Sequence, residues 1–174
     1  MPLTYQLIAS NIISVNTTNI TFSSIPNTYT DLLLRVSARS GAGPNDAMRV
    51  RLNSLNSNNS YTDLRTQGNT VSSATVNSAS SSGLMVGPVN HQETTNTFSD
   101  SEFYIPNYNS TSAKQMLGSS VAEVPATTVA SESIISVAAG LNTATSAITS
   151  LLIQNFNGQF FPGSSFYLYG IKNS

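Results

Sequence analysis

The chain has 174 residues, a length that suits one β-sandwich, so we expect residues 1–174 to form a single domain. Charged residues make up only 9% of the chain, the net charge is −1, and the sequence contains no basic cluster. We therefore do not expect nucleic acid as a partner. Ser, Thr and Asn supply close to two-fifths of the residues, a bias that favours turns and strand surfaces over long helices.

The sequence contains no cysteine, which excludes disulfide bonds and thiolate metal sites. No run of about 18 apolar residues occurs, and the N-terminus lacks the basic and apolar regions of a signal peptide, so we expect neither membrane insertion nor export. A net charge near zero gives little repulsion between copies and favours association. We therefore expect a subunit that is made in the cytoplasm and assembles with itself.

The chain opens with three short β-rich segments separated by Asn and Thr, a pattern typical of strands joined by turns. These segments are Tyr5 to Ala9, Ile12 to Val15 and Ile20 to Phe22. The clearest strand signal follows, because Leu32 to Ala38 alternates apolar and polar residues with the period of a half-buried strand.

A second alternating run, Met48 to Leu52, follows a spacer rich in Gly, Pro, Asn and Asp. We therefore predict that it and Leu32 to Ala38 are neighbouring antiparallel strands. The outward positions of both runs carry arginines, which we interpret as a solvated or subunit-facing surface rather than a ligand site. These arginines are Arg35, Arg39, Arg49 and Arg51.

Two later stretches, Ser54 to Ser60 and Thr70 to Ser82, are almost wholly small or polar, and we predict that both are long surface loops. The other downstream segments have strand composition and are separated by turn-rich spacers. They are Gly83 to Val89, Phe98 to Ile105, Lys114 to Val121, Ser133 to Ala138, Ile148 to Gln154 and Phe166 to Ile171.

Several alanines lie between Val129 and Ala147, so a short helical turn stays an alternative for this segment. No sustained 3.6-residue stripe occurs elsewhere, which argues against βαβ units. The number and spacing of the strands therefore predict an all-β protein, a β-sandwich of antiparallel strands in a jelly-roll-like arrangement.

The single histidine, His91, is the only candidate base for a nucleophilic triad. Serines are so numerous that one near His91 is guaranteed by composition, and no Gly-x-Ser-x-Gly elbow occurs. Asp100 and Glu102 share one strand face, and we interpret them as a solvated strand edge rather than a metal site or a catalytic pair. We therefore expect no enzymatic activity and assign no catalytic, cofactor-binding or metal residue.

Sugar binding has little support in the composition, because tryptophan, the usual platform for sugar rings, is absent. Four tyrosines are candidates for an aromatic patch, although tyrosines at a core edge or an interface are commoner. These are Tyr104, Tyr108, Tyr167 and Tyr169. No P-loop and no Gly-x-Gly-x-x-Gly fingerprint between a strand and a helix occur, so we expect no nucleotide cofactor.

Four motifs follow one another along the chain: I-P-x-x-Y-T-D-L at 25–32, R-x-N at 51–53, I-P-x-Y at 105–108 and S-x-F-x-L-Y-G-I at 164–171. Their combination resembles small structural proteins of tailed bacteriophages, and Ala147 to Ile153 is similar to the usual penultimate strand of that group. The resemblance covers most of the chain. It implies a jelly-roll-like sandwich displayed on a virion.

The resemblance implies two functions. One is a capsid decoration or cement subunit, which would bind the major capsid protein or other virion proteins as a homo-oligomer, with a trimer favoured. The alternative is a tail-fibre or tail-spike module that binds host surface polysaccharide. A fibre would ordinarily carry an attachment region and a long shaft, whereas strand-like sequence runs here from Tyr5 almost to the C-terminus, so we expect the decoration subunit rather than the fibre module.

A third class is a small carbohydrate-active enzyme or lectin without a link to a virus. It would require Asp100, Glu102 and His91 to converge in a cleft.

Overall fold

The computed structural model of the protein describes residues 4–41, 46–55, 57–80, 83–88, 90–91, 96–124 and 132–172. These residues form β-strands and no α-helix, which confirms the prediction of an all-β protein. The strands are β1 (Tyr5–Ile12), β2 (Asn19–Phe22), β3 (Asp31–Ser40), β4 (Ala47–Leu52), β5 (Ser57–Gln67), β6 (Thr70–Ser80), β7 (Leu84–Pro88), β8 (Asn90–His91), β9 (Ser99–Ile105), β10 (Lys114–Val124), β11 (Glu132–Asn142), β12 (Leu151–Asn155) and β13 (Ser165–Ile171).

Two sheets face each other. The large sheet runs in the order β1-β13-β3-β9-β10-β11-β5-β6, with antiparallel neighbours, and the two-residue β8 joins the end of β3 in parallel. The small sheet runs in the order β2-β12-β4-β7 and is antiparallel throughout.

Eight of these strands have the connectivity of a jelly roll. Counted along the chain from first to eighth, they are β1, β2, β3, β4, β7, β9, β12 and β13. In that count one sheet begins 1-8-3-6 and the other reads 2-7-4-5, which is the strand order of the two sheets in a jelly roll. The prediction of a jelly-roll-like sandwich is therefore confirmed.

Two hairpins are inserted into this jelly roll. The β5–β6 hairpin lies between β4 and β7, the β10–β11 hairpin lies between β9 and β12, and together they extend the large sheet beyond β9. The prediction of long surface loops at Ser54 to Ser60 and Thr70 to Ser82 was wrong, because β5 begins at Ser57 and β6 occupies Thr70–Ser80. Backbone hydrogen bonds hold both strands to their neighbours, and small polar side chains do not obstruct these bonds.

The prediction that the third and fourth strands are neighbours was also wrong. β3 pairs with β13 and β9, whereas β4 pairs with β12 and β7 in the opposite sheet. The chain changes sheets at a buried polar corner, where the Ser40 hydroxyl donates to Asp46 and the Asn155 side chain donates to Ser40 at 3.0 Å. Both strands alternate because their apolar sides face one core from opposite directions.

That core draws on both sheets. Leu34, Phe103 and Phe166 of the large sheet and Val50 and Ile153 of the small sheet are fully buried in one cluster. The rings of Phe160 and Phe166 meet edge to face with centroids 5.0 Å apart, a geometry that adds to their burial.

The first and third phage-like motifs are tied together by hydrogen bonds. The buried Asp31 carboxylate accepts bonds from the Tyr104 hydroxyl at 2.6 Å and from the Asn107 backbone N–H at 2.8 Å. The buried Tyr108 hydroxyl donates to the Pro26 carbonyl. These contacts hold the turn after β9 against the segment that leads into β3.

The second motif supplies a clamp at the end of β4. Asn53 has a φ of 52°, in the left-handed region that Asn tolerates better than most residues. Its side-chain oxygen accepts bonds from the N–H groups of Thr149 and Ser150 at 2.7 and 3.1 Å, and its amide donates to the Ala147 carbonyl at 2.8 Å. The clamp fixes the segment that leads into β12.

The fourth motif contains Gly170, whose lack of a side chain allows a close contact. The ring of Tyr29, from the first motif, occupies the place of a Cβ, since three ring carbons would lie 2.3 to 2.6 Å from it. Residues of all four motifs therefore stabilise the fold. The resemblance that rests on these motifs is first of all a resemblance in fold. None of the described residues forms a helix that is long and apolar enough to span a membrane.

Candidate functional site

The inserted hairpins expose apolar side chains on the face of the large sheet that points away from the small sheet. Their side chains are between 44% and 68% exposed. We call this set the outer apolar face, and it consists of Leu64, Val71, Leu117, Val121, Ile135 and Val137.

Strand register makes this face continuous. Val121 lies opposite Ile135, and the row continues through Thr66 to Val71. In the next row Val137 lies opposite Leu64. Six exposed apolar residues on four adjacent strands thus form one patch and not scattered positions, and such patches mark interaction sites.

Charged residues of β5 avoid the outer apolar face. Asp63 and Arg65 alternate with Leu64 and therefore point to the other side of the sheet, where the Ser136 hydroxyl donates to Asp63 at 2.7 Å. The usual order of a sheet, with its apolar side inward and its charges outward, is thus reversed at these three positions of β5. A reversal of this kind is expected where the outward side is covered in an assembly.

The size of this surface matches that of a protein interface. The four strands β10, β11, β5 and β6 each have 11 residues. At about 4.8 Å between strands and about 3.3 Å per residue they present a surface on the order of 700 Å². Each partner in a standard interface buries about 800 Å².

Two adjacent pockets form a groove on the same side of the large sheet, across the jelly-roll strands and the inserted hairpins. It has a volume of about 490 Å³ in its wider half and about 400 Å³ in its narrower half, and Tyr104 lines both halves. We call the whole feature the trough. Its narrower half is lined by Tyr5, Leu33, Arg35, Glu102, Tyr104 and Tyr169.

The wider half of the trough lies mainly on the inserted hairpins. Thr62, Gln115, Leu117 and Ala139 are among the outward residues that line it. From Tyr169 on β13 to Thr62 on β5 the trough crosses five strand spacings of about 4.8 Å, or about 24 Å. Its dimensions therefore suit an extended ligand better than a compact one.

Tyr104 is the fixed point of the trough. Its hydroxyl donates to the buried Asp31 carboxylate, which holds the ring in place between the two halves. This hydrogen bond, with a smaller contribution from burial, raises the pKa of Tyr104 to about 12. Because the folded pKa lies above the unfolded value of about 10, the bond stabilises the fold below pH 10 and this contribution is lost as the pH rises towards 12.

We expect an absorbance titration of the tyrosines to detect this bond. Replacing Asp31 with Asn should move one tyrosine equivalent from about pH 12 towards pH 10, because the amide no longer favours the neutral phenol. Replacing Tyr104 with Phe should remove that equivalent altogether. A titration curve that is identical in the wild type and Asp31→Asn would contradict the assignment.

The acidic pair Asp100 and Glu102 shares a face, as predicted, but does not lie at a sheet edge. β9 lies between β3 and β10, and the guanidinium of Arg35 reaches both acids, at 3.5 Å from Asp100 and 3.6 Å from Glu102. All three side chains are about half exposed or more, so these ion pairs contribute little to stability. Arg35 and Glu102 provide hydrogen-bond donors and acceptors at the wall of the trough.

The tyrosine candidates separate into two groups. Tyr104 and Tyr169 line the trough, and Tyr167 lies on the same face of the large sheet, opposite Arg35 in the ladder. Tyr108 does not join them, because it is fully buried in the core with its hydroxyl on Pro26. The turn after β9 directs it inward.

Two of the other arginines contact aromatic rings. The guanidinium of Arg49 lies 3.7 Å from the centroid of Phe156, and that of Arg39 lies 5.2 Å from the centroid of Phe161. Burial lowers the pKa of Arg49, and the nearby Arg51 adds to this effect. Their interpretation as a solvated or subunit-facing surface stays a prediction.

The backbone of His91 lies in β8, paired with Ser40, whereas Asp100 and Glu102 lie opposite Ser37 and Arg35. The side chain of His91 falls outside the part of the chain that the structure describes, so the convergence of these three residues stays untested. Within the described ranges, no group of three or more His, Cys, Asp or Glu residues is placed to hold a metal ion.

The sequence did not reveal the outer apolar face. A signal was present at Leu64, an apolar residue between Asp63 and Arg65, whose alternation would place it opposite two charges. Its neighbour Val71 lay in a stretch that the composition assigned to a loop.

The strand order defines an all-β sandwich, with an exposed apolar face and a groove on one sheet. No protein-family model, curated protein or solved structure matches the chain.

Proposed function

We propose that this protein is a structural protein of a virion, a capsid decoration or cement subunit that binds and stabilises a bacteriophage shell. The observation that carries the proposal is the outer apolar face. A surface on the order of 700 Å² that carries six exposed apolar side chains in the isolated chain calls for a partner. Because the four motifs resemble those of phage structural proteins, we propose that this partner is a protein of the shell.

Low charge suits this role, because few ions lose their hydration on docking. A shell offers many equivalent positions, and each contact favours the assembled state over the free one by mass action. We further propose that the subunit acts as a homo-oligomer, since several linked copies bind a symmetric shell more tightly than one copy. A trimer stays the favoured prediction, and light scattering on the purified protein tests it.

Replacing Val137 with Asp is expected to weaken binding to shells that lack the protein by about a hundredfold. An unpaired carboxylate in a buried apolar contact costs about 3 kcal/mol. The fold should remain, because Val137 is 44% exposed in the isolated chain. The measurement is cosedimentation of purified protein with such shells over a concentration series, together with their resistance to heat.

Val15→Asp is the matched control, since Val15 is 70% exposed and lies outside the large sheet. It should bind as the wild type does and harden the shell equally. Equal binding by Val137→Asp and the wild type, or no binding by the wild type at all, would reject docking through this face.

The alternative is a tail-fibre or tail-spike module that binds host surface polysaccharide. The tyrosines of the trough are the observation that favours it. Adsorption of the purified protein to host cells, competed by their surface polysaccharide, without any binding to shells would move the protein to the tail.

A further inference from the structure

We infer that the trough binds a neutral polysaccharide chain. The inference rests on the alternative function proposed above and names its ligand. It does not depend on the role on a shell, because the aromatic half of the trough contains no residue of the outer apolar face, although Leu117 belongs both to that face and to the wider half. Its first support is the aromatic lining. Tyr5, Tyr104 and Tyr169 present rings that are apolar on their faces and polar at their tips, which matches the alternating apolar and hydroxyl surfaces of a sugar.

The second support is the polar rim. Arg35 and Glu102 stand beside the rings and offer donors and acceptors that are only partly occupied by their ion pair at 3.6 Å. Farther along, Thr62 and Gln115 add neutral groups of both kinds. A few directed polar groups in an apolar groove are the usual composition of a ligand site.

Charge decides between neutral and acidic glycans. Arg35 is shared by Asp100 and Glu102, so this cluster carries a net charge of about −1. A uronate or a sulfate bound beside Glu102 would approach this net negative cluster, whose second acid, Asp100, lies outside the lining of the trough, and would be repelled. A neutral chain meets no such penalty.

Backbone pairing decides between a glycan and a peptide. The trough crosses strands that are paired on both sides, from β13 through β3, β9, β10 and β11 to β5. Their N–H and C=O groups are used in the ladders, so no peptide can add there as a further strand. Recognition has to come from side chains, across a length of about 24 Å.

Pre-organisation adds to the case. The hydrogen bond at 2.6 Å from Tyr104 to the buried Asp31 fixes the central ring before any ligand arrives. Because this ring is already ordered, binding a ligand costs less conformational entropy.

The test is surface plasmon resonance with immobilised maltohexaose, mannohexaose, chitohexaose and an acidic hexagalacturonate. At least one neutral hexasaccharide should bind saturably, its disaccharide at least tenfold more weakly, and the acidic chain not at all. Tyr169→Ala should weaken binding at least tenfold. Tyr167→Ala is the control, since it removes a tyrosine from the same face of the same strand, but outside the lining of the trough.

Absence of binding to all three neutral chains would overturn the inference, and so would equal losses in Tyr169→Ala and Tyr167→Ala. Thermal unfolding of each variant identifies a loss that results from misfolding, and Glu102→Gln then repeats the test with a half-exposed residue. Tyr169→Ala should bind shells normally and Val137→Asp should bind the glycan normally. Failure of one proposal is thereby distinguished from failure of the other.

Discussion

Replacing Gly170 with Ala is expected to lower the free energy of unfolding by about 3 kcal/mol, because the new methyl group would overlap the ring of Tyr29. Three ring carbons would lie 2.3 to 2.6 Å from the new Cβ, closer than side-chain carbons approach in folded proteins. The ring packs against the core on one side and has the Lys172 ammonium 6.0 Å from its centroid. It therefore cannot yield without losing contacts of its own. Denaturant unfolding measures the loss.

The double variant Tyr29→Ala, Gly170→Ala tests the cause. Tyr29→Ala alone should cost about 2 kcal/mol through lost burial, and adding Gly170→Ala should then cost almost nothing, since the methyl group has space. If the double variant loses as much free energy of unfolding as the two single variants together, the steric explanation is wrong. A coupled pair would establish that the first and fourth motifs depend on each other.

Replacing Asp31 with Ala is the second large expected loss, again about 3 kcal/mol. Its carboxylate is 2% exposed and accepts bonds from the Tyr104 hydroxyl and the Asn107 N–H. Removing it leaves two donors without their acceptor, and each such group costs about 1 to 3 kcal/mol where it is buried. Urea unfolding at pH 7 measures the change.

Asp31→Asn is the matched control, because it keeps the shape and one acceptor oxygen. Its loss should lie between those of the wild type and Asp31→Ala. In a Tyr104→Phe background the difference between Asp31→Ala and the parent should shrink by about 1 kcal/mol, since one donor has already gone. An unchanged difference would mean that the bond to Tyr104 contributes nothing.

Alternation identified strands well but said little about their partners. Leu32 to Ala38 and Met48 to Leu52 both mark one apolar side, and both became strands, β3 and β4. The pattern specifies that a side faces a core and not which sheet supplies it. The buried corner at Ser40 and Asp46, which separates the two strands, consists of ordinary polar residues that no period distinguishes.

The loop predictions failed for a different reason. Thr70–Ser80 has almost no apolar side of its own, and its strand structure depends on the ladder to β5, which in turn depends on β11. Strand preference depends strongly on such neighbours, so composition alone pointed to a loop.

The trough was only partly accessible from the sequence. Tyr104 and Tyr169 were candidates for a patch, but they line one half of the trough because β13, β3 and β9 are adjacent, an order that the sequence pattern does not contain. Tyr108 had the same chemistry and turned into the core, because a turn reverses the chain after Ile105.

The two hairpin insertions have an evolutionary consequence. Each leaves the jelly roll after one strand and returns before the next, and the four motifs lie outside both hairpins. Substitutions on β5, β6, β10 and β11 can therefore follow a changing partner while the motif residues stay under selection for folding. Diverging descendants of this chain should keep the same eight-stranded body long after their outer surfaces have ceased to resemble one another.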